Sequence, residues 1–435
     1  MRFSSEVVLR LVSTIVLTRL LAPEVYGIFA VVLVYMYLLQ MFSDLGLRPL
    51  VLTKEDPVED GFLHTCWTVS VLRGFAIWLI SALLALTIGY MQSNGTFAPD
   101  NAYASPVLPW AIFALGGVSC VKGFMSINLH MAARGMLFGR ATILHIAANL
   151  ISLIVTIILA FYLRTVWALV IGNLTRVLIE VCFSFWIFPG TRMRLSLAWE
   201  HLLPIYDRGR WIVGQSALTA LSESADRIFL GFAISSANFG HYAIARQVVD
   251  LFIRFIGTMN IQMGLQVFTH ILKAEIPVFR KNYYRYRIIF DAISGICAGG
   301  ILITAPFIVE ILFDDRYANV ATYMAILSLG LLTSSPIILR QAFRAERRFK
   351  EMMMLGLVTA VSIWTGLAVS IFVFDSVTLA LFCIAFHKLP EVILLWIKGH
   401  RRGWISPLRE TRPLIFVPVG ALIGWVCLLL SDYLL

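Results

Sequence analysis

Charge is what this chain has least of. Asp, Glu, Lys and Arg make up 14% of its 435 residues against 59% hydrophobic ones, and the mean hydropathy is +0.84. That balance excludes a soluble globular protein and describes an integral membrane protein. Polar stretches never exceed roughly twenty residues, which leaves no room for a soluble domain of appreciable size. Cysteine is sparse too. Cys66, Cys120, Cys182, Cys297, Cys383 and Cys427 are widely separated and all lie in apolar segments. No CxxC or Cys/His spacing occurs, so neither a disulfide framework nor a metal or other cofactor is expected, and packing is the plainer role. A P-loop is also missing, so any transport would be secondary or driven by a substrate gradient. The net charge of +10 does not point to nucleic acid, because the basic residues sit in short connections between apolar runs.

What the chain has in quantity is apolar runs long enough to cross a membrane. A helix needs about 20 such residues to span a ~30 Å hydrocarbon core. Thirteen segments qualify: 4–21, 27–46, 63–90, 107–128, 141–163, 166–188, 211–233, 240–264, 288–312, 321–339, 352–374, 377–397 and 414–431. The first is cramped. It begins almost at Met1 and carries Arg10, which fits an upstream start or a trimmed N-terminus.

Loop charge orients these segments. With the N-terminus in the cytoplasm, the inner connections hold 23 Lys and Arg and the outer ones hold only Arg164 and Arg316. This is the positive-inside pattern, and one missed helix would scramble it. The C-terminus then lies outside. The longest outer connection, 91–106, has no Lys or Arg, and its Asn94-Gly95-Thr96 sequon is read as chance.

The two halves repeat. Pro23–Ala30 (PEVYGIFA) aligns with Ser236–Ala243 (SANFGHYA), so that Tyr/Phe-Gly-x-Phe/Tyr-Ala falls in register at an offset of 213. Each copy reads as a tight turn, with Gly27 and Gly240 starting a return helix where backbones approach closely. A fainter echo pairs the basic connections Ala133–Arg140 and Phe343–Lys350. Duplication at half-length predicts an all-α membrane protein of two homologous six-helix bundles around a central cavity, with one extra C-terminal helix. The expected divisions are 1–188, a cytoplasmic linker 189–210, 211–397, and a basic loop with the last helix at 398–435.

Thr18-Arg19-Leu20-Leu21-Ala22-Pro23-Glu24-Val25-Tyr26-Gly27 resembles the ARLLxPExFG signature of polysaccharide-export flippases, and Phe42–Leu47 (FSDLGL) resembles the phrase that follows it. Asp226–Gly231 with Phe239–Ala243 resembles the matching phrase of helices 7 and 8. These are features of the multidrug/oligosaccharidyl-lipid/polysaccharide export superfamily, in its bacterial O-antigen and exopolysaccharide branch. The resemblance implies a flippase of the bacterial inner membrane, not an enzyme. Its cargo would be undecaprenyl-pyrophosphate-linked oligosaccharide, with membrane lipids, a glycan polymerase and glycosyltransferases as partners. A short first helix and a count of thirteen depart from the family pattern.

Charges left inside the membrane are the candidate site residues. Each costs about 2.5–3.5 kcal/mol at mid-bilayer and so calls for a cavity or a partner. Arg10, Arg73, Lys122 and Arg176 lie mid-helix in the first half, with Glu180 and Asp44 the acids near them. In the second half Arg246, Asp250 and Arg254 share one helix face. Arg10, Arg73, Arg176 and Arg254 are the expected pyrophosphate ligands, since a guanidinium fork suits phosphate oxygens. The plainer reading is that they pair or snorkel. Glu223 and Asp226 are candidates for a coupling proton or cation, though pairing with Arg227 explains them as well.

The rest reads as scaffold. Trp110, Trp167, Tyr206, Trp211 and Trp404 fit interfacial anchors. Gly295-x3-Gly299 fits a packing face, and Pro306, Pro336 and Pro390 fit kinks. His387–Glu391 (HKLPE) is either a partner for the cavity or the inner end of its helix. Three rival functions remain. A glycan polymerase or ligase would need a large outer loop with catalytic Arg or His, a multidrug cation exporter would favour an Arg-poor acidic cavity, and a non-transporting assembly scaffold would need neither.

Overall fold

The computed structural model describes every residue except Met1, 48–49, 52–57, 135–137, Pro189, 273–274, Arg347 and Leu435. Side chains at a further set of helical positions, Arg10 among them, also lie outside the description. All thirteen expected segments are helical. We label them α1 (Arg2–Leu20), α2 (Pro23–Phe42), α3 (Asp60–Ser93), α4 (Val107–Gly123), α5 (Phe138–Leu163), α6 (Val166–Ile187), α7 (Trp199–Ala233), α8 (Ser236–Ile271), α9 (Ile276–Leu312), α10 (Val320–Ala345), α11 (Lys350–Val373), α12 (Val377–Arg401) and α13 (Pro413–Leu434). Among the described residues nine are long and apolar enough to cross a membrane. α4 is shorter, and charges interrupt α1, α7 and α8.

Helix starts differ from the sequence reading for local reasons. α2 begins at Pro23, whose fixed φ and missing N–H suit the first helical position, with Glu24 in the first turn. Gly27 therefore lies within the helix, and the turn is confined to Leu21–Ala22. α7 starts at Trp199, so the expected linker is half helix. Its first turns carry Ile205, which is buried with Phe62, Leu63, Cys66 and Ile127. α3 has 34 residues, about 50 Å of helix. That exceeds the hydrocarbon thickness, and its N-terminal turns form this same cluster.

The chain divides into two compact units, Met1–Gly240 and His241–Leu435. In the first, the two repeat glycines pack on each other. A methyl group on Gly27 would run into the Ser236 carbonyl oxygen and lie 3.2 Å from the Gly240 nitrogen. One on Gly240 would meet the Pro23 carbonyl and lie 3.2 Å from the Gly27 nitrogen. Pro23 and Ser236 are themselves counterparts at the same offset, so the contact is reciprocal. The connection 91–106 closes over the end of α7: Tyr103 stacks on Phe232 at 4.2 Å, and Asn101 Nδ2 donates to the Phe232 carbonyl at 2.8 Å.

In the second unit the tightest packing joins α9 and α13. Gly295 and Gly299 meet Pro413, Phe416 and Val417, while Gly420 and Gly424 meet Ile296 and Gly300. Two small-x3-small faces thus bring the backbones together. α10 is broken: after Ser328 it runs as 3₁₀ turns over Leu329–Thr333 and Pro336–Leu339 before regaining α form. Pro336 has no N–H to continue the ladder. Pro390 opens the second part of α12 instead of kinking it.

Candidate functional site

A cavity of about 210 Å³ lies in the first unit among α2, α3 and α4. Gln40 and Asp44 reach it from the end of α2, Arg73 from α3, Ser119 and Lys122 from α4, and His130 from the short helix that follows. Gly74 and Gly123 let α3 and α4 approach closely, since a methyl group on either would crowd the opposing backbone. Arg73 is held from one side. Its Nε donates to Ser43 Oγ at 3.0 Å and its Nη2 to the Gln40 carbonyl at 2.8 Å, while Nη1 stands 3.9 Å from Asp44 Oδ1. Asp44 is fixed in turn by the Gly46 amide at 3.1 Å, and Gly46 has φ +63°, a conformation that suits glycine. The Lys122 ammonium makes no hydrogen bond or ion pair among the described residues, and the residue is exposed and lines the cavity.

Behind Lys122 stands a second charged group. Glu180, buried on α6, accepts from His145 Nδ1 at 3.0 Å and lies 3.6 Å from Arg176 Nη1. Arg176 also donates to Asn173 Oδ1 at 2.8 Å. Lys122 is within electrostatic range of Arg73, Arg176 and Glu180. Three cations therefore face two carboxylates here, leaving a net positive neighbourhood that suits an anion.

A family model for polysaccharide biosynthesis proteins matches residues 16–321. The chain belongs to that family. No curated protein matches it. Among solved structures, the lipid II flippase MurJ in an inward closed conformation superposes with a TM-score of 0.73 at 12% identity, covering 99% of this chain and 91% of that one. An inward-facing multidrug resistance MATE family transporter of the MOP superfamily follows at 0.66 and 13%, covering 93% and 94%. A MOP superfamily transporter from Pyrococcus furiosus, described as having a binding pocket of reversed polarity, scores 0.57 at 14%, covering 92% and 93%. At these identities the likeness is one of fold, and it is the two-lobed helical architecture of transporters. With nine apolar spans among its described residues, this family member is a multi-pass membrane protein.

The other expected residues are placed differently. Arg10 lies on α1, its side chain outside the described residues. Arg254 belongs to the second unit, where it is exposed on α8 and makes no hydrogen bond or ion pair among the described residues. Its neighbours Arg246 and Asp250 pair at 3.1 Å. Glu223 is exposed on α7 and accepts from Tyr37 Oη at 2.8 Å. Asp226 is buried, with Oδ1 accepting from the Arg227 backbone N–H at 2.8 Å. Glu391 of the HKLPE stretch turns to Arg340 at 3.1 Å and Thr359 at 2.7 Å, so it ties α10, α11 and α12 together within the second unit.

Sequence reasoning undervalued Lys122 and Arg287. The signal for Lys122 was a Lys beside Gly123 in an otherwise apolar helix. Arg287 was counted with the inner connections, one residue outside the ninth segment. It is fully buried in α9, bonded to Asp291, Glu410 and Tyr283. Its spacing of four from Asp291 was the clue.

Proposed function

We propose that this protein carries a lipid-linked oligosaccharide with an anionic pyrophosphate headgroup across the bacterial inner membrane. The N-terminus is cytoplasmic and the C-terminus periplasmic, as the loop charges indicate. The observation that supports the reading best is the first-unit cavity, where Arg73 is oriented by backbone and hydroxyl and the Lys122 ammonium makes no hydrogen bond or ion pair among the described residues. An unpaired ammonium in a membrane helix is costly, and an anionic headgroup relieves that cost. Arg73 supplies the fixed guanidinium and Lys122 the mobile point charge, with Arg176 reinforcing the field. Arg10 and Arg254 complete the set of cations assigned to the headgroup. Glu223, Asp226 and Arg227 are assigned to coupling or to pairing along α7.

Purified full-length protein titrated with a synthetic polyprenyl pyrophosphate tests this. Charge-assisted bonds of about 1.5–3 kcal/mol each imply that Arg73→Ala or Lys122→Ala weakens binding roughly tenfold or more, while Lys122→Arg keeps most of it. Native affinity in both alanine variants would remove the cavity from substrate binding. Binding of a lipophilic cation in place of the pyrophosphate would favour the multidrug exporter.

A further inference from the structure

The segment 403–412, which leads into α13, is strapped along one stripe of α9. Arg280 Nε donates to the Gly403 carbonyl at 2.9 Å. One turn on, Tyr284 Oη accepts from the Ser406 backbone N–H at 2.8 Å and donates to Glu410 Oε1 at 2.8 Å. Arg287, a turn further, bonds to the Glu410 carboxylate and donates to its backbone carbonyl at 3.0 Å. Positions 280, 284 and 287 recur at helical spacing, so one face of α9 fixes the whole segment. Glu410 is the only acid of 403–412, and it is buried and turned inward. The outward side is cationic. Arg409 and Arg412 both lie over the Tyr284 ring, their guanidinium carbons 5.6 and 5.2 Å from its centroid. Neither makes a hydrogen bond or ion pair among the described residues. Arg412 is within electrostatic range of Asp291, but that carboxylate is buried and already bonded to Arg287 and Ser335. Lys281 and Arg285 are exposed on the α9 turns beside Tyr284, again without a carboxylate partner among the described residues.

We infer that Arg409 and Arg412 hold the phosphate of an anionic phospholipid of the inner leaflet, on a platform made by the Tyr284 ring. Depth favours a lipid over a soluble anion. The apolar runs of α9 and α13 begin at Ile288 and Leu414, so these cations stand at the headgroup level. Leu408, next to Arg409, is 89% exposed, and Leu414 and Ile415 are exposed just beyond Arg412. Acyl chains beside the guanidinium pair would cover these side chains, whereas a free phosphate would leave them in water. The pair also differs from basic residues that snorkel to whatever headgroup is near. Stacked on a ring that the core holds in place, the two guanidiniums lose little freedom on binding, and each offers a planar fork to phosphate oxygens. No acid lies on 276–290, and Glu410 is spent on Arg287. The four cations therefore select a lipid of net negative charge over a zwitterionic one, whose ammonium they repel. Bound there, the lipid would brace 403–412 and the start of α13 against α9.

Native mass spectrometry of the purified full chain, equilibrated with equal amounts of phosphatidylglycerol and phosphatidylcholine of the same acyl chains, tests the inference. The wild type should retain phosphatidylglycerol in preference. Arg409→Gln combined with Arg412→Gln should cut that preference about tenfold or more, since two charge-assisted contacts are lost. Arg192→Gln combined with Arg194→Gln removes the same charge from exposed positions of the first unit and should leave the preference unchanged. Arg409→Gln alone, at an exposed position, should lose a smaller share, and it decides the matter if the double variant does not fold. Three results would overturn the site: equal retention of the two lipids, a preference that survives loss of Arg409 and Arg412, or equal loss in both double variants, which would mean diffuse charge. A parallel thermal scan separates the two sources of phosphate. Phosphatidylglycerol should raise Tm as a ligand of the native state does, and an equal rise with inorganic phosphate would assign a soluble anion instead. No lipid-linked substrate enters either assay, so the outcome is independent of the proposed function.

Discussion

At the scale of residues, the membrane forces every charge to declare a partner, and the two units answer differently. In the second, one buried cluster pairs its charges internally, while Arg254 stays exposed on α8. Arg287, Asp291 and Glu410 are sealed together with Tyr283, Tyr284 and Ser335, and the last residues before α13 are thereby tied to α9. The first leaves Lys122 without such a partner among the described residues. Removing one member of a buried pair strands the other, at a cost of about 3–5 kcal/mol. Glu410→Ala should therefore lower thermal stability sharply, whereas Arg287→Met combined with Glu410→Leu should recover part of it. Equal losses in the single and the double variant would mean that the contact with Asp291, not the one with Glu410, dominates. Such pairing was only partly legible in the sequence. The i, i+4 pairs Arg176–Glu180 and Arg246–Asp250 follow from helical spacing. Arg287–Glu410 joins positions 123 apart, which no local pattern announces.

At the scale of elements, the apolar runs locate all thirteen helices because membrane length and helix length are the same physical quantity. Their ends were harder to read. α3, α7 and α9 continue beyond the apolar run as amphipathic turns, where Ile205, Phe62 and Tyr283 bury themselves against other helices. Hydropathy alone stops at the membrane surface. The break in α10 was marked only by Pro336, and the reach of its 3₁₀ turns depends on neighbours far along the chain. The glycine pair Gly27/Gly240 was legible as a repeat, but its members face each other across α2 and α8, which a one-dimensional alignment cannot show. Gly27→Ala and Gly240→Ala should each destabilise by about 1–3 kcal/mol through overpacking. The double variant should cost less than the sum, since the first methyl already forces the helices apart. Additive losses in a denaturation cycle would separate the two sites.

At the scale of the whole molecule, the distribution of Lys and Arg predicts the placement of both termini. A reporter fused after Leu435 should be active only in the periplasm; cytoplasmic activity would mean that the helix count, most directly α1 or α13, needs revision. The family and the two-lobed architecture were legible from the repeated phrases and the loop charges together. The candidate cavity was legible only in its ingredients, because Arg73 and Lys122 meet through the close approach of α3 and α4 at Gly74 and Gly123.

The reciprocal contact at the starts of α2 and α8 also bears on descent. Each glycine is crowded by the counterpart of the residue four before it, so a side chain arriving at position 27 finds no slack that a change at 240 could open. The opposing atoms are main-chain carbonyls, which no substitution can trim. Among relatives of this chain, the two positions should therefore be lost together or kept together. A lineage that drops one glycine should also show displaced or rebuilt helix starts in both halves.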